Sequence, residues 1–154
     1  MSDKAGGASG ADGSIQAQPA AHAERPEEVQ GALEPWAFVC YASSCRYQGA
    51  EATAVAIAQE LRRRAEQSGQ PQPEARVGRA GCFGLCNSGP VVATYPGGEM
   101  HIGVRPEDAR EMAAQLANGK GLARRAVKLP VWYQEYLRTM LARLAGFARR
   151  ATSR

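Results

Sequence analysis

The chain has no run of about eighteen uncharged apolar residues, so no membrane-spanning helix is expected. It has no apolar stretch of signal-peptide length near its start and no twin-arginine export pair. A cytoplasmic, reducing setting is the expectation, and there cysteines are not expected to pair as disulfides. Histidine is scarce, with His22 and His101 alone. There is no acid–base pair and no nucleophile–base constellation, so an independently catalytic enzyme is not expected. Cys-x-x-Cys, the usual spacing of a redox dithiol, is missing. No internal repeat is found, and no nucleic-acid recognition motif accompanies the basic residues.

What is present is uneven. The 154 residues suit one modest domain with tails. Residues 120–154 hold nine basic side chains against Glu135 alone, while the body before them is slightly acidic. The high isoelectric point therefore belongs to the C-terminus and does not signal a basic domain. Residues 1–32 are rich in Gly, Ala, Ser and Pro, with too little apolar surface to offset the entropy of ordering. They are read as a disordered tail, residues 33–128 as the folded domain, and residues 129–154 as a basic amphipathic helix.

Within the domain, Trp36–Tyr41 is short, apolar and aromatic and predicts a buried strand ending near Cys40. Ala50 to Gln67 places Val55, Ile57, Ala58 and Leu61 at helical spacing, with Arg62, Arg63 and Arg64 in the last turns, where the helix dipole favours cations, and Gly69 as a stop. The three arginines are read as a solvated helix end. Residues 75–79 predict a weaker strand and Val91–Tyr95 a firm one. Pro96-Gly97-Gly98 turns the chain back through 99–104 as a hairpin, in which His101 is expected to be half-exposed. Pro106, Glu107 and Asp108 open a second helix that stops at Gly119. The order β-α-β-β-β-α implies a parallel pair followed by antiparallel strands, an α/β sandwich of the thioredoxin kind. In residues 131–150, Tyr133, Tyr136, Leu137, Met140, Leu141, Leu144 and Phe147 recur every three or four residues.

The four cysteines come as two close pairs, Cys40-x4-Cys45 and Cys82-x3-Cys86. Three or four intervening residues let both sulfurs of a pair reach one metal. Two such pairs suit one tetrahedral ion or a two-iron cluster with two thiolates per iron. Ligand type alone does not separate zinc from [2Fe–2S]. The surroundings lean toward the cluster: Gly81, Gly84 and Gly89 bracket the second pair, and glycine lets backbone wrap a bulky group and aim N–H groups at sulfur.

The stretch from Gly81 through Cys82, Phe83, Gly84, Leu85, Cys86, Asn87, Ser88, Gly89 and Pro90 to Val91-Val92-Ala93-Thr94-Tyr95-Pro96-Gly97-Gly98, followed by Gly103-Val104-Arg105-Pro106-Glu107-Asp108-Ala109, resembles the thioredoxin-like [2Fe–2S] ferredoxins. These are also called Shethna-type ferredoxins and are related to the 24-kDa-type subunit of NADH:quinone oxidoreductases. The likeness spans roughly residues 36–128. It implies a thioredoxin-like fold, a [2Fe–2S] cluster and one-electron transfer, and it places Cys40, Cys45, Cys82 and Cys86 at ligand positions. The simplest pairing puts Cys40 and Cys45 on one iron and Cys82 and Cys86 on the other. Gly89-Pro90 falls where such folds often carry a cis bond. The x4 spacing of the first pair is closer to the dehydrogenase subunit than to the free ferredoxins. The C-terminal helix is outside the family pattern.

The resulting expectation is a cytoplasmic electron carrier that serves redox partners such as a reductase, nitrogenase, hydrogenase or NADH dehydrogenase-like enzyme. The alternatives are a subunit or assembly module of a larger oxidoreductase with a structural or sensory cluster, and a structural zinc domain. Dimers are common in the resembled family. Residues 131–150 have three readings: packing on the body or on a second copy, docking on a partner enzyme, or peripheral contact with an anionic membrane.

Overall fold

The computed structural model describes residues 34–152; the expected tail over residues 1–32 lies outside them. Strand β1 (Trp36–Cys40) is followed by a short helix α1 (Ser43–Tyr47), the long helix α2 (Ala50–Gln67) and strand β2 (Arg76–Ala80). Strands β3 (Val92–Tyr95) and β4 (Glu99–His101), helix α3 (Ala109–Leu116) and the C-terminal helix α4 (Val131–Thr152) complete the order. The sheet runs β2-β1-β3-β4. β1 and β2 are parallel, with Cys40 opposite Ala80, and β1–β3 and β3–β4 are antiparallel, with Trp36 opposite Tyr95. The expected element order therefore stands, with α1 added.

Strand alternation puts Trp36 and Phe38 on one face, where their rings stack with centroids 5.4 Å apart. Gly78 lies opposite Phe38 because a Cβ there would sit 2.8 Å from the Phe38 ring. Helix α2 packs on β1 and β2 and against α3, while α4 lies against β2 and β3. Arg149 of α4 pairs with Glu34, whose neighbour is the Trp36 end of β1, and its charge reaches Tyr95. Helix α4 thus covers the Trp36–Phe38–Tyr95 side, burying Leu137, Leu141 and Ala145. Of the three readings of residues 131–150, packing on the body describes this inner face.

His101 departs from expectation: it is fully buried. β4 is shorter than predicted, and after it residues 121–127 run along the sheet edge. The Ile102 N–H donates to the Arg125 carbonyl and the Val127 N–H to the Met100 carbonyl. Gly121 lies over the imidazole with no room for a side chain. A hairpin pattern does not reveal a later segment that covers it. Asp108 anchors the same region, accepting from the Arg105 N–H at 2.9 Å and pairing with Arg124 and Arg125. Burial alone would lift its carboxyl; those partners outweigh it and hold the group below the usual carboxylate range.

Candidate metal centre

All four cysteines lie at the end of the sheet where β1 and β2 finish. Cys40 closes β1, its N–H donating to the Val91 carbonyl at 2.9 Å, and Tyr41 continues onto the Ala80 carbonyl at 2.8 Å. Cys45 sits in α1, and both first-pair cysteines are buried. Cys82 and Cys86 are exposed in the loop after β2, with their Sγ atoms 3.3 Å apart. Gly84, at φ 81°, turns its N–H onto Cys82 Sγ at 3.2 Å. That geometry favours glycine, and it supplies the N–H-to-sulfur bond expected of the glycine-rich loop.

The pairs are tied together. Gly89 presses against the first pair so closely that a Cβ on it would lie 2.8 Å from Cys45 Sγ. The Ser44 hydroxyl and the Gln48 amide both donate to the Cys86 carbonyl, at 2.7 and 2.8 Å, and Gln48 also donates to Ser44 Oγ at 3.0 Å. The loop is held from its far side by the Gly103 N–H on the Ser88 carbonyl and the Val104 N–H on the Pro90 carbonyl. The Gly89–Pro90 bond is cis, as is Tyr95–Pro96.

The thiols influence one another across the pairs. Burial pushes the Cys45 thiol up to about 11, against a backbone hydrogen bond from Val91, and the Cys40 and Cys86 charges add to the rise. The Gly84 N–H, and then the Cys86 thiol, lower Cys82. Cys86 is raised, first by its bond to Cys82 and then by that neighbour's charge. Among the described residues no group of three or more His, Cys, Asp or Glu is arranged to hold a metal ion. His101 is buried in β4 with Nδ1 3.1 Å from the Val92 carbonyl.

A soft, sulfur-only donor set, a loop N–H aimed at sulfur and a side-chain-free approach at Gly89 together fit an iron–sulfur group. Sequence reasoning missed Ser44 and Gln48. Their i, i+4 spacing on one helical face was readable, but their acceptor is a carbonyl far along the chain. It also missed Arg79, whose guanidinium lies 4.4 Å from the Tyr41 ring centroid, next to Cys40.

No protein-family model matches the chain. It is 36% identical over 52 residues to a curated [2Fe–2S] ferredoxin of Clostridium pasteurianum, a match covering 33% of this chain and 51% of that protein. The chain thus spans about half the length of that curated relative. Among solved structures, a thioredoxin-like [2Fe–2S] ferredoxin from Aquifex aeolicus superposes with a TM-score of 0.52 at 24% identity, over 63% of this chain and 93% of that one. A second structure of the wild-type Aquifex ferredoxin gives 0.52 at 22%, over 64% and 100%. The chain therefore has the thioredoxin-like fold of the [2Fe–2S] ferredoxins, with sequence similarity to a ferredoxin of that cluster type.

Proposed function

We propose that Cys40, Cys45, Cys82 and Cys86 hold a [2Fe–2S] cluster and that the protein carries single electrons between redox proteins. The observation that carries this reading is the meeting of two cysteine pairs at one end of the sheet, with Gly84 donating to Cys82 Sγ and Gly89 packed on Cys45 Sγ. Similarity to the clostridial [2Fe–2S] ferredoxin supports it. Two pairs of thiolates match a two-iron group with two protein ligands per iron, Cys40 with Cys45 and Cys82 with Cys86.

When bound, such a cluster takes up or gives one electron at a time. The chain's own residues supply position and polarity. Cys40 is fixed by the sheet and Cys45 by α1 under Gly89, which makes the first pair the rigid, water-excluded side. Cys82 and Cys86 lie at the surface, on the side a partner can approach. The Gly84 N–H offsets negative charge on sulfur and favours the more reduced state. Ser44 and Gln48 fix the Cys86 backbone, keeping the exposed pair in register with the buried one. A cytoplasmic setting belongs to this reading; among the described residues no helix is long and apolar enough to cross a membrane.

The test is an anaerobic redox titration of the purified chain, followed by visible absorbance and by electron paramagnetic resonance. One reversible one-electron step, giving about one unpaired spin per chain, is expected. A colourless protein with one zinc per chain and no such step overturns the reading.

A further inference from the structure

Helix α4 buries one side and presents a second organised side to solvent. Leu137, Leu141 and Ala145 face the sheet. On the opposite side Trp132, Tyr136 and Phe147 are 69%, 59% and 70% exposed, and Arg143 and Arg150 are exposed among them. At about 100° per residue these five side chains share an arc of roughly 60°, and from 132 to 150 they run about 27 Å along the helix. No acidic residue lies in that arc. Isolated exposed apolar residues are ordinary, but a continuous row of three aromatics and two arginines is not.

We propose that this outer face of α4 binds an anionic lipid surface, lying in the headgroup region with the aromatics inserted and the arginines on phosphate. Three observations narrow the occupant. Two such rows laid together would offer the arginines no carboxylate within the row, so self-pairing lacks charge complementarity. A redox partner needs the cysteine end, and α4 is fastened at the other end. Arg138 donates to the Gly97 carbonyl in the β3–β4 turn, and Arg149 pairs with Glu34 beside Trp36, four strand residues from Cys40. A flat row of projecting aromatics with cations as its only charges has the composition of an interfacial helix, and its charge complements anionic headgroups. Bound this way, the protein keeps Cys82 and Cys86 accessible to a soluble partner. The inference stands apart from the cluster assignment, since none of its residues touches a cysteine.

The experiment is co-sedimentation of the full chain with phosphatidylcholine vesicles and with vesicles containing one quarter phosphatidylglycerol. Soluble polyglutamate is the control for an acidic protein surface. Binding to the anionic vesicles at low salt is expected, weakened at least tenfold by Trp132→Ala with Phe147→Ala and by Arg143→Gln with Arg150→Gln. Trp132 emission should shift to the blue on binding, while Trp36 is already buried. Circular dichroism of each variant verifies folding, which substitution at exposed positions leaves intact. No binding to anionic vesicles, equal binding to neutral ones, or binding unchanged in both double variants overturns the proposal. So does capture by polyglutamate without capture by lipid.

Discussion

Ser44 Oγ donates to the carbonyl of Cys86 at 2.7 Å, joining the helix that carries Cys45 to the loop that carries Cys82 and Cys86. Gln48 doubles the bond from the next helical turn. Each such bond is worth about 0.5–1.5 kcal/mol net. Ser44→Ala combined with Gln48→Ala should therefore speed loss of the bound chromophore to a chelator by about tenfold, measured as the decay of visible absorbance. Ser44→Thr, which keeps the hydroxyl, should restore most of the difference. Decay at the wild-type rate in the double variant would show that the two bonds do not hold the loop.

Two glycines separate the fold from the centre. A Cβ at Gly78 meets the Phe38 ring at 2.8 Å, and one at Gly89 meets Cys45 Sγ at the same distance. Gly78→Ala overpacks the core, a change costing about 1–3 kcal/mol, and should lower Tm while leaving the visible spectrum as it was. Gly89→Ala should reduce iron retained per chain and alter the spectrum. Iron content and melting temperature measured on both variants check the split; the reverse pattern would contradict the placement of Gly89 at the centre.

His101 predicts a pH dependence. Burial holds its imidazole below the ordinary histidine value, with the Val92 carbonyl and the Glu99 carboxylate, 3.6 Å from Nε2, opposing in part. The native state therefore keeps the ring neutral while the unfolded chain takes a proton near pH 6.5. This contribution to stability is present above about pH 6.5 and is lost as pH falls below it toward the lowered native value. Urea midpoints should fall between pH 7.5 and 5.5, and His101→Gln should flatten that slope. A wild-type midpoint that rises on acidification would contradict the sign.

Helix α4 is part of the core on its inner side. Leu141 is fully buried under it, so Leu141→Ala should destabilise the protein by about 2–5 kcal/mol in equilibrium denaturation. Phe147→Ala, at an exposed position, should cost less than about 0.5 kcal/mol. Equal losses would mean that α4 does not pack as described.

The pattern of the sequence carried the sheet and the long helices because their signals are local. Apolar Trp36–Val39, the hairpin glycines and the spacing of Ile57 and Leu61 each name an element without help from the rest of the chain. The grouping of cysteines into two close pairs was equally legible, since each pair lies within a few residues of sequence. What stayed hidden depends on distant contacts. His101 is covered by Gly121 and its neighbours, and the Ser44–Cys86 bond joins residues 42 apart in sequence. Cys45 lies in a helix of five residues, too short for periodicity to reveal. The seven apolar positions of residues 131–150 predicted an amphipathic helix, but only packing divides them into a buried set around Leu141 and an outward set around Tyr136 and Phe147.

The most direct measurement is the iron and acid-labile sulfide content of the anaerobically purified chain, compared with that of Cys82→Ala and Cys86→Ala. Two irons and two sulfides per wild-type chain, with loss of the normally ligated cluster in both variants, are predicted. Zinc in place of iron, or wild-type absorbance retained in both variants, would contradict the account.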